Sequence, residues 1–127
     1  MQIPGTQVED GKVVLLASAT KTATFTSSQD DGYKNADSII LQAVVTAQSG
    51  TTPTLDIKLQ DSFDGGVTWQ DTGIAIPQIT TTLGTFAVRS TLPLGALVRA
   101  VCTIGGTTPS YTFALTIYAK SVKRFAS

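Results

Sequence analysis

The stretch Leu55–Trp69 constrains what this chain can fold into more than any other part of it. Apolar and polar residues alternate from Leu55 to Gln60, and because successive side chains of a strand point to opposite faces, this pattern predicts a strand with one buried face. The residues Asp64-Gly65-Gly66 then supply the positive-φ positions that a tight turn needs. Residues 67–69 again suit a strand. The stretch therefore predicts a β-hairpin that carries the only tryptophan of the chain.

The flanking sequence extends this interpretation to the whole chain. Val, Ile, Thr and aromatic residues cluster in short runs between turn-forming residues, and no window shows a sustained apolar pattern at helical spacing. With 127 residues, the chain is long enough for one domain with an ordinary core. We predict an all-β fold, an antiparallel β-sandwich of jelly-roll type with about eight or nine short strands. Its predicted divisions are an extended N-terminal arm (residues 1–11), the β-sandwich domain (residues 12–119) and a basic C-terminal tail (residues 120–127).

Several local patterns predict individual elements of this fold. Lys12–Leu16 and Thr20–Thr26 are predicted as a first pair of strands, and Asp37–Ala47 as the longest apolar strand. Two segments, Gln48–Pro53 and Gly105–Pro109, are predicted as turns, because both contain Gly followed by Thr-Thr-Pro. Each lies between an apolar strand and a second alternating strand, so the surrounding segments resemble each other. We attribute this similarity to shared turn chemistry and not to duplication.

Charge is distributed unevenly along the chain, although the formal net charge is zero. All nine acidic residues lie between Glu9 and Asp71, whereas five basic residues and no acidic one follow Asp71. Either an acidic patch of one copy meets a basic patch of another, or the folded domain interleaves the charges and has no patch; both alternatives remain open. Five scattered basic residues are too few to indicate nucleic-acid binding. The residues that we predict for a protein interface are Ile40, Val44, Arg89 and Arg99.

The residues that usually carry enzymatic chemistry are scarce. The chain contains no histidine, the most common general base and metal ligand, and its single cysteine, Cys102, lies in an apolar run where we expect it to be buried. The remaining candidates for a glycosidase-like pair or a calcium site are the carboxylates Asp30, Asp31, Asp61, Asp64 and Asp71. All lie in or next to predicted turns, where Asp is common because of its local hydrogen bonds. We therefore expect no enzymatic activity, no cofactor and no metal site.

The sequence also bears on location and on small ligands. The N-terminus lacks the basic start and apolar block of a signal peptide, and no stretch approaches the length of a membrane helix, so we expect synthesis in the cytoplasm and no membrane partner. Carbohydrate binding is an alternative function, because Trp69, Tyr33 and Tyr118 could stack on sugars with Asp64 or Asp71 nearby. For Trp69, packing within the hairpin is the favoured interpretation.

The hairpin also carries a recognisable motif. Its residues fit the Asp-box pattern, which recurs in the blades of sialidases and other β-propellers, and these residues are Ser62, Asp64, Gly66, Thr68 and Trp69. In those proteins the motif is a turn that stabilises a hairpin, and the catalytic groups lie elsewhere. A propeller needs several blades of roughly forty residues each, and this chain has one copy of the motif. The resemblance therefore implies a structural role for these five residues.

A broader resemblance covers roughly residues 37–119. The segments Ile39–Trp69, 94–106 and 109–119 resemble small virion structural proteins of tailed bacteriophages, which are histidine-poor, rich in Thr, Ala and Val, and contain the pattern apolar-Gln-x-Ser-x-Asp-Gly-Gly-x-Thr-Trp. This resemblance implies a β-sandwich protein of the virion. The favoured role is a head decoration (cement) protein that binds the major capsid protein as a homo-oligomer, commonly a trimer. A tail or neck component is the alternative within the same class.

Overall fold

A computed structural model describes residues 6–29, 38–91 and 97–124. This part of the chain contains six β-strands and no helix, which confirms the predicted all-β antiparallel class. The strands are β1 (Thr6–Lys21), β2 (Phe25–Thr26), β3 (Ser38–Ser62), β4 (Gln70–Ile79), β5 (Gly84–Ser90) and β6 (Leu97–Arg124). β1 begins within the predicted arm and β6 ends within the predicted tail, where Thr6 pairs with Arg124.

Two very long strands form the centre of the fold. β3 and β6 pair in antiparallel register over their length, from Ser38 opposite Lys120 to Ser62 opposite Leu97. β1 and β5 flank one half of this pair, and β2 and β4 flank the other half. The first layer therefore has the order β1–β6–β3–β5, and the second layer has the order β2–β6–β3–β4.

The two layers meet at a corner where both long strands bend. Thr51 of β3 pairs with Thr107 of β6, and the pairing register shifts on both sides of this pair. On β3, Gly50 and Thr52 have φ angles of 113° and 47°, and the equivalent residues of β6, Gly106 and Thr108, have 110° and 45°. The corner is thus nearly two-fold symmetric, and the two Gly-Thr-Thr-Pro segments face each other across it.

These two segments were predicted as turns, and that prediction is wrong. Neither segment reverses the chain into a hairpin with its neighbour; each continues its own strand around the corner and pairs with the other segment. For this reason the described residues hold six strands and not the predicted eight or nine. The predicted first pair of strands also differs, because β1 and β2 do not pair with each other and each pairs with β6.

The core lies between the two layers. Along β3 and β6 every second residue is buried on both sides of the corner, as expected for strands with one covered face. Contacts from layer to layer confirm this packing: the rings of Phe25 (second layer) and Phe113 (first layer) have centroids 6.0 Å apart, and the Tyr111 hydroxyl donates to the Thr80 carbonyl at 2.7 Å. The largest fully buried side chains are Tyr111, Phe113, Leu41, Leu55, Ile57, Leu59, Ile79, Leu115, Ile117, Val45 and Val98.

Candidate functional site

The Asp-box residues form one hydrogen-bonded loop between β3 and β4. The hydroxyl of the buried Ser62 donates to Asp64 Oδ1 at 2.8 Å and accepts from the backbone N–H of Gly66 at 2.9 Å. Asp64 Oδ1 also accepts from the backbone N–H of Thr68 at 2.8 Å. The side chains of Ser62 and Asp64 thus replace the backbone pairing that a tight two-residue turn would make. The loop is longer than the sequence predicts, since the next strand begins at Gln70 and not at Val67.

These contacts fix the ionisation of Asp64. Hydrogen bonds from the Thr68 backbone and the Ser62 hydroxyl favour the charged form and lower the pKa of Asp64 from 3.8 to about 2. The carboxylate is therefore ionised at neutral pH and already engaged with donors of its own loop. This arrangement suits a structural carboxylate and not a general acid, which needs a raised pKa.

Trp69 is held by two contacts at the end of the same loop. Its indole Nε1–H donates to the Gly66 carbonyl at 3.0 Å, and the guanidinium of Arg99 lies over its ring, 4.1 Å from the centroid. The ring is half-buried. One face of the ring and its only hydrogen-bond donor are thus occupied within the chain.

Two of the three aromatic residues predicted for sugar binding lie on different layers. Tyr118 belongs to the first layer and Trp69 to the hairpin of the second, while Tyr33 lies outside the described residues. The described residues therefore do not join Trp69 and Tyr118 into one sugar-binding surface.

A polar network covers the outward-facing side of the second layer. Asp71 accepts from Gln60 Nε2 at 2.9 Å and from Lys58 Nζ at 3.2 Å, and both contacts lower the pKa of Asp71, that of Gln60 most. Gln60 Oε1 in turn accepts from Arg99 Nε and Nη2 at 3.0 and 2.9 Å. The network thus connects β4, β3 and β6 and ends at the Trp69 ring. Sequence reasoning missed it, because no local pattern signals a contact between positions 60 and 99.

The remaining candidates for chemistry are placed as follows. Cys102 is fully buried, and burial raises the pKa of its thiol to about 12, which disfavours the reactive thiolate form. Asp61 is buried in β3, whereas Asp64 and Asp71 are exposed. Asp30 and Asp31 lie outside the described residues. Within the described ranges, no three His, Cys, Asp or Glu side chains come together in a metal-binding group. The same ranges contain no helix that is long and apolar enough to cross a membrane.

The outward-facing side of the first layer has a different character. We call it the first-layer face; its side chains come from all four strands and include Lys12, Val14, Ile40, Gln42, Val44, Thr85, Ala87, Arg89, Ala114, Thr116 and Tyr118. Val14 is 52% exposed and Tyr118 is 38% exposed, although both are apolar or largely so. The carboxylates whose side chains the structure describes, at positions 56, 61, 64 and 71, all belong to the second layer or its hairpin.

Three of the four predicted interface residues lie together on this face. Ile40 is flanked by Tyr118 on one side and Arg89 on the other. Val44 lies four residues further along the same strand and on the same face. Arg99 is the exception, because it lies on the second layer beneath the Trp69 ring. The described side chains of the first-layer face thus include exposed apolar groups and no carboxylate, whereas polar groups on the outward side of the second layer are hydrogen-bonded to one another.

Comparison with known proteins gives only distant similarities. No family model matches the chain, and no curated protein is significantly similar to it in sequence. Among solved structures, the SPBc2 prophage-derived protein YomS matches with a TM-score of 0.47 and 11% identity, over 94% of this chain and 100% of that one. A protein of the pili described as Bacillus endospore appendages matches with a TM-score of 0.41 and 18% identity, over 91% and 90%. The enzymatically active domain of tailspike protein 4 from bacteriophage CBA120 matches with a TM-score of 0.38 and 13% identity, over 94% of this chain and 19% of that one. At TM-scores below 0.5, these similarities establish neither a common fold nor a shared function.

Proposed function

We propose that this protein is a non-enzymatic structural component of a phage-type virion. The role that we propose within this class is a head decoration protein that binds the major capsid protein. The observation that carries the proposal is the group of apolar side chains on the first-layer face, where the described side chains include no carboxylate, in contrast to the outward side of the second layer with Asp71. The choice of the major capsid protein as partner comes from the sequence resemblance to small virion proteins.

The composition of the first-layer face supports binding to another protein. Val14, Ile40, Val44 and Tyr118 lie on adjacent strands around the uncharged Gln42 and Thr116, and the charged Lys12 and Arg89 lie at the rim of this surface. Protein interfaces typically combine an apolar centre, poor in charge, with a polar rim. An apolar sheet face exposed to solvent in a monomer is a typical docking surface.

The second layer supports a structural role in another way. Asp64, Asp71 and Gln60 all form hydrogen bonds with neighbours in the same chain. These hydrogen bonds stabilise the pairing of β3 with β4 and the loop that joins them. A protein that serves as a mechanical or architectural part needs this rigidity and needs no catalytic group.

The test is co-sedimentation of the purified protein with phage heads that lack it. We expect the wild-type protein to sediment with the heads and Val44→Asp to bind at least roughly tenfold more weakly, because a carboxylate would have to be desolvated in the interface. Val101→Asp is the matched control, since Val101 is a half-buried valine on the outward side of the second layer. We expect this control to bind as the wild type does.

Three results would contradict the proposal in different ways. Binding to isolated tails and not to heads would replace the decoration role with the tail alternative. Equal binding by Val44→Asp and the wild type would exclude the first-layer face as the contact surface. Binding to an immobilised glycan that is lost in Trp69→Ala would favour the carbohydrate-binding alternative.

A further inference from the structure

The edges of the two layers differ in how they are protected from pairing with another chain. An edge strand exposes unpaired backbone N–H and C=O groups, which can pair with a strand of another molecule unless something blocks them. Natural proteins block their edges with proline, with β-bulges or by keeping the edge strand very short. In the described part of this chain, the four edge strands are β1, β2, β4 and β5.

Three of these edges carry such a device. β1 has two register shifts against β6, between Val14 and Leu16 and between Leu16 and Ala19. β4 contains Pro77 and also has two register shifts against β3. β2 is only two residues long, and the adjacent edge of β6 is covered by Ser27, whose backbone N–H donates to the Ala100 carbonyl and whose hydroxyl accepts from the Ala100 N–H.

β5 carries none of these devices. It pairs with β3 over seven consecutive residues without a register shift, from Gly84 opposite Val45 to Ser90 opposite Ile39. It contains no proline, and Arg89 is its one charged residue. Among the described residues, no strand pairs with the outer edge of β5 between Thr85 and Arg89. This segment is regular, and its length is that of an ordinary pairing partner.

We propose that β5 pairs in antiparallel fashion with β5 of a second copy, about a two-fold axis at Ala87. The strand is self-complementary in this register. Phe86 lies opposite the partner's Val88 on the inward side, which joins an aromatic and a β-branched side chain that are both half-buried at the margin of the core. On the outward side, Thr85 lies opposite the partner's Arg89, so no like charges face each other.

The proposed pairing brings no like charges into direct contact, and it does not depend on the proposed virion role. The two Arg89 side chains are four positions apart along the joined strands, about 13 Å, which leaves their repulsion largely screened. Pairing at β5 joins the first layers of two copies into one continuous sheet, which doubles the first-layer face. It gives an even number of copies, in contrast to the trimer that the resemblance implies.

The test uses the central position of the axis, where each residue lies opposite its own copy. Ala87 is exposed, so a charged residue there leaves the core intact. Light scattering across a dilution series should give twice the monomer mass for the wild type. Ala87→Glu and Ala87→Lys should each dimerise at least roughly fivefold more weakly, because identical charges then face each other. A mixture of the two variants should recover the dimer as a mixed species.

A matched control and a second variant make the test specific. Ala75→Glu places the same charge on an exposed alanine of β4, the protected edge of the second layer, and should leave the dimer unchanged. Thr85→Glu should tighten the dimer, because the new carboxylate faces the partner's Arg89 in the proposed register. A wild-type monomer or trimer at all concentrations would overturn the pairing, and so would a dimer that Ala87→Glu does not weaken. Binding to phage heads is measured separately, so either proposal can fail while the other stands.

Discussion

At the scale of single residues, the Asp-box carboxylate determines how the hairpin responds to acid. The pKa of Asp64 lies at about 2 in the folded chain and near 3.8 when its donors are absent. A lowered folded-state pKa stabilises the folded protein above the unfolded-state value, and this contribution is lost as the pH falls from about 4 towards 2. The Ser62 and Thr68 donors thus stabilise the folded state only while Asp64 is charged.

This linkage gives a prediction for Asp64→Asn. We expect the substitution to lower the melting temperature at pH 7 and to flatten its pH dependence between pH 4 and pH 2, because the variant has no carboxylate to protonate. Thermal melts followed by circular dichroism across this range measure the effect. Asp56→Asn is the control, since Asp56 lies on the outward side of β3 and its hydrogen bond from Gln78 can be kept by the asparagine oxygen. If both variants kept the wild-type pH dependence, the hydrogen bonds of Asp64 would not contribute to folding.

At the scale of elements, the corner depends on glycine at two symmetric positions. A Cβ atom at Gly106 would lie 2.7 Å from the Thr52 carbonyl oxygen, and one at Gly50 would lie 2.8 Å from that of Thr108. Both glycines also have φ angles that a side chain disfavours. The close approach of the two backbones at this point is what allows the strands to pass around the corner together.

We therefore expect Gly106→Ala to lower the free energy of unfolding by about 3 kcal/mol or more, the sum of backbone strain and a clash with backbone atoms. Gly73→Ala is a matched control, since Gly73 has a φ of 86° but nothing within 4 Å of a new Cβ. It should cost only the strain, about 1–2 kcal/mol. Urea unfolding of both variants gives the difference. Equal losses would show that close packing at the corner is unimportant.

The corner also shows what the sequence could and could not predict. The alternation in Leu55–Leu59 and in Tyr111–Ala119 predicts these strands correctly, because burial of one strand face leaves a period of two in the local sequence. The sequence predicts the Gly-Thr-Thr-Pro segments as turns, because glycine and proline are typical turn residues. The two segments form a corner only because they pair with each other, and no local sequence pattern encodes this pairing.

The same distinction holds for the candidate site. The Ser62–Asp64–Thr68 hydrogen bonds were predictable, because the motif is local and its donors lie within four residues of each carboxylate or hydroxyl. The stacking of Arg99 on Trp69 was not, because 30 positions separate them in the sequence and the contact requires β3 and β6 to be in register. The predicted interface groups Arg99 with Ile40 and Val44, although Arg99 lies on the other layer.

At the scale of the whole molecule, β3 and β6 make the two layers one cooperative unit. Neither layer can open without breaking the pairing of a strand that continues into the other layer. Cys102 lies fully buried on β6 in the second layer and offers a chemical probe of this coupling.

We expect Cys102 to react with a thiol reagent only when the whole molecule unfolds. Its labelling rate should therefore rise with urea along the same slope as the free energy of global unfolding. The control is Cys102→Ala with Thr103→Cys, which moves the thiol to the adjacent, exposed position and should react at the rate of a free thiol. A shallower urea dependence for Cys102 would reveal that the second layer opens independently.

The register of the outermost pair has a mechanical consequence. Thr6 at the start of β1 lies opposite Arg124 at the end of β6. A tensile force applied between these two residues acts parallel to the hydrogen bonds that join β1 and β6. These bonds would therefore break one after another, at a low force. A force directed along β3 and β6 would instead shear many bonds at once. Contacts that load this protein along β3 and β6 would therefore withstand more force than contacts at the paired ends of β1 and β6.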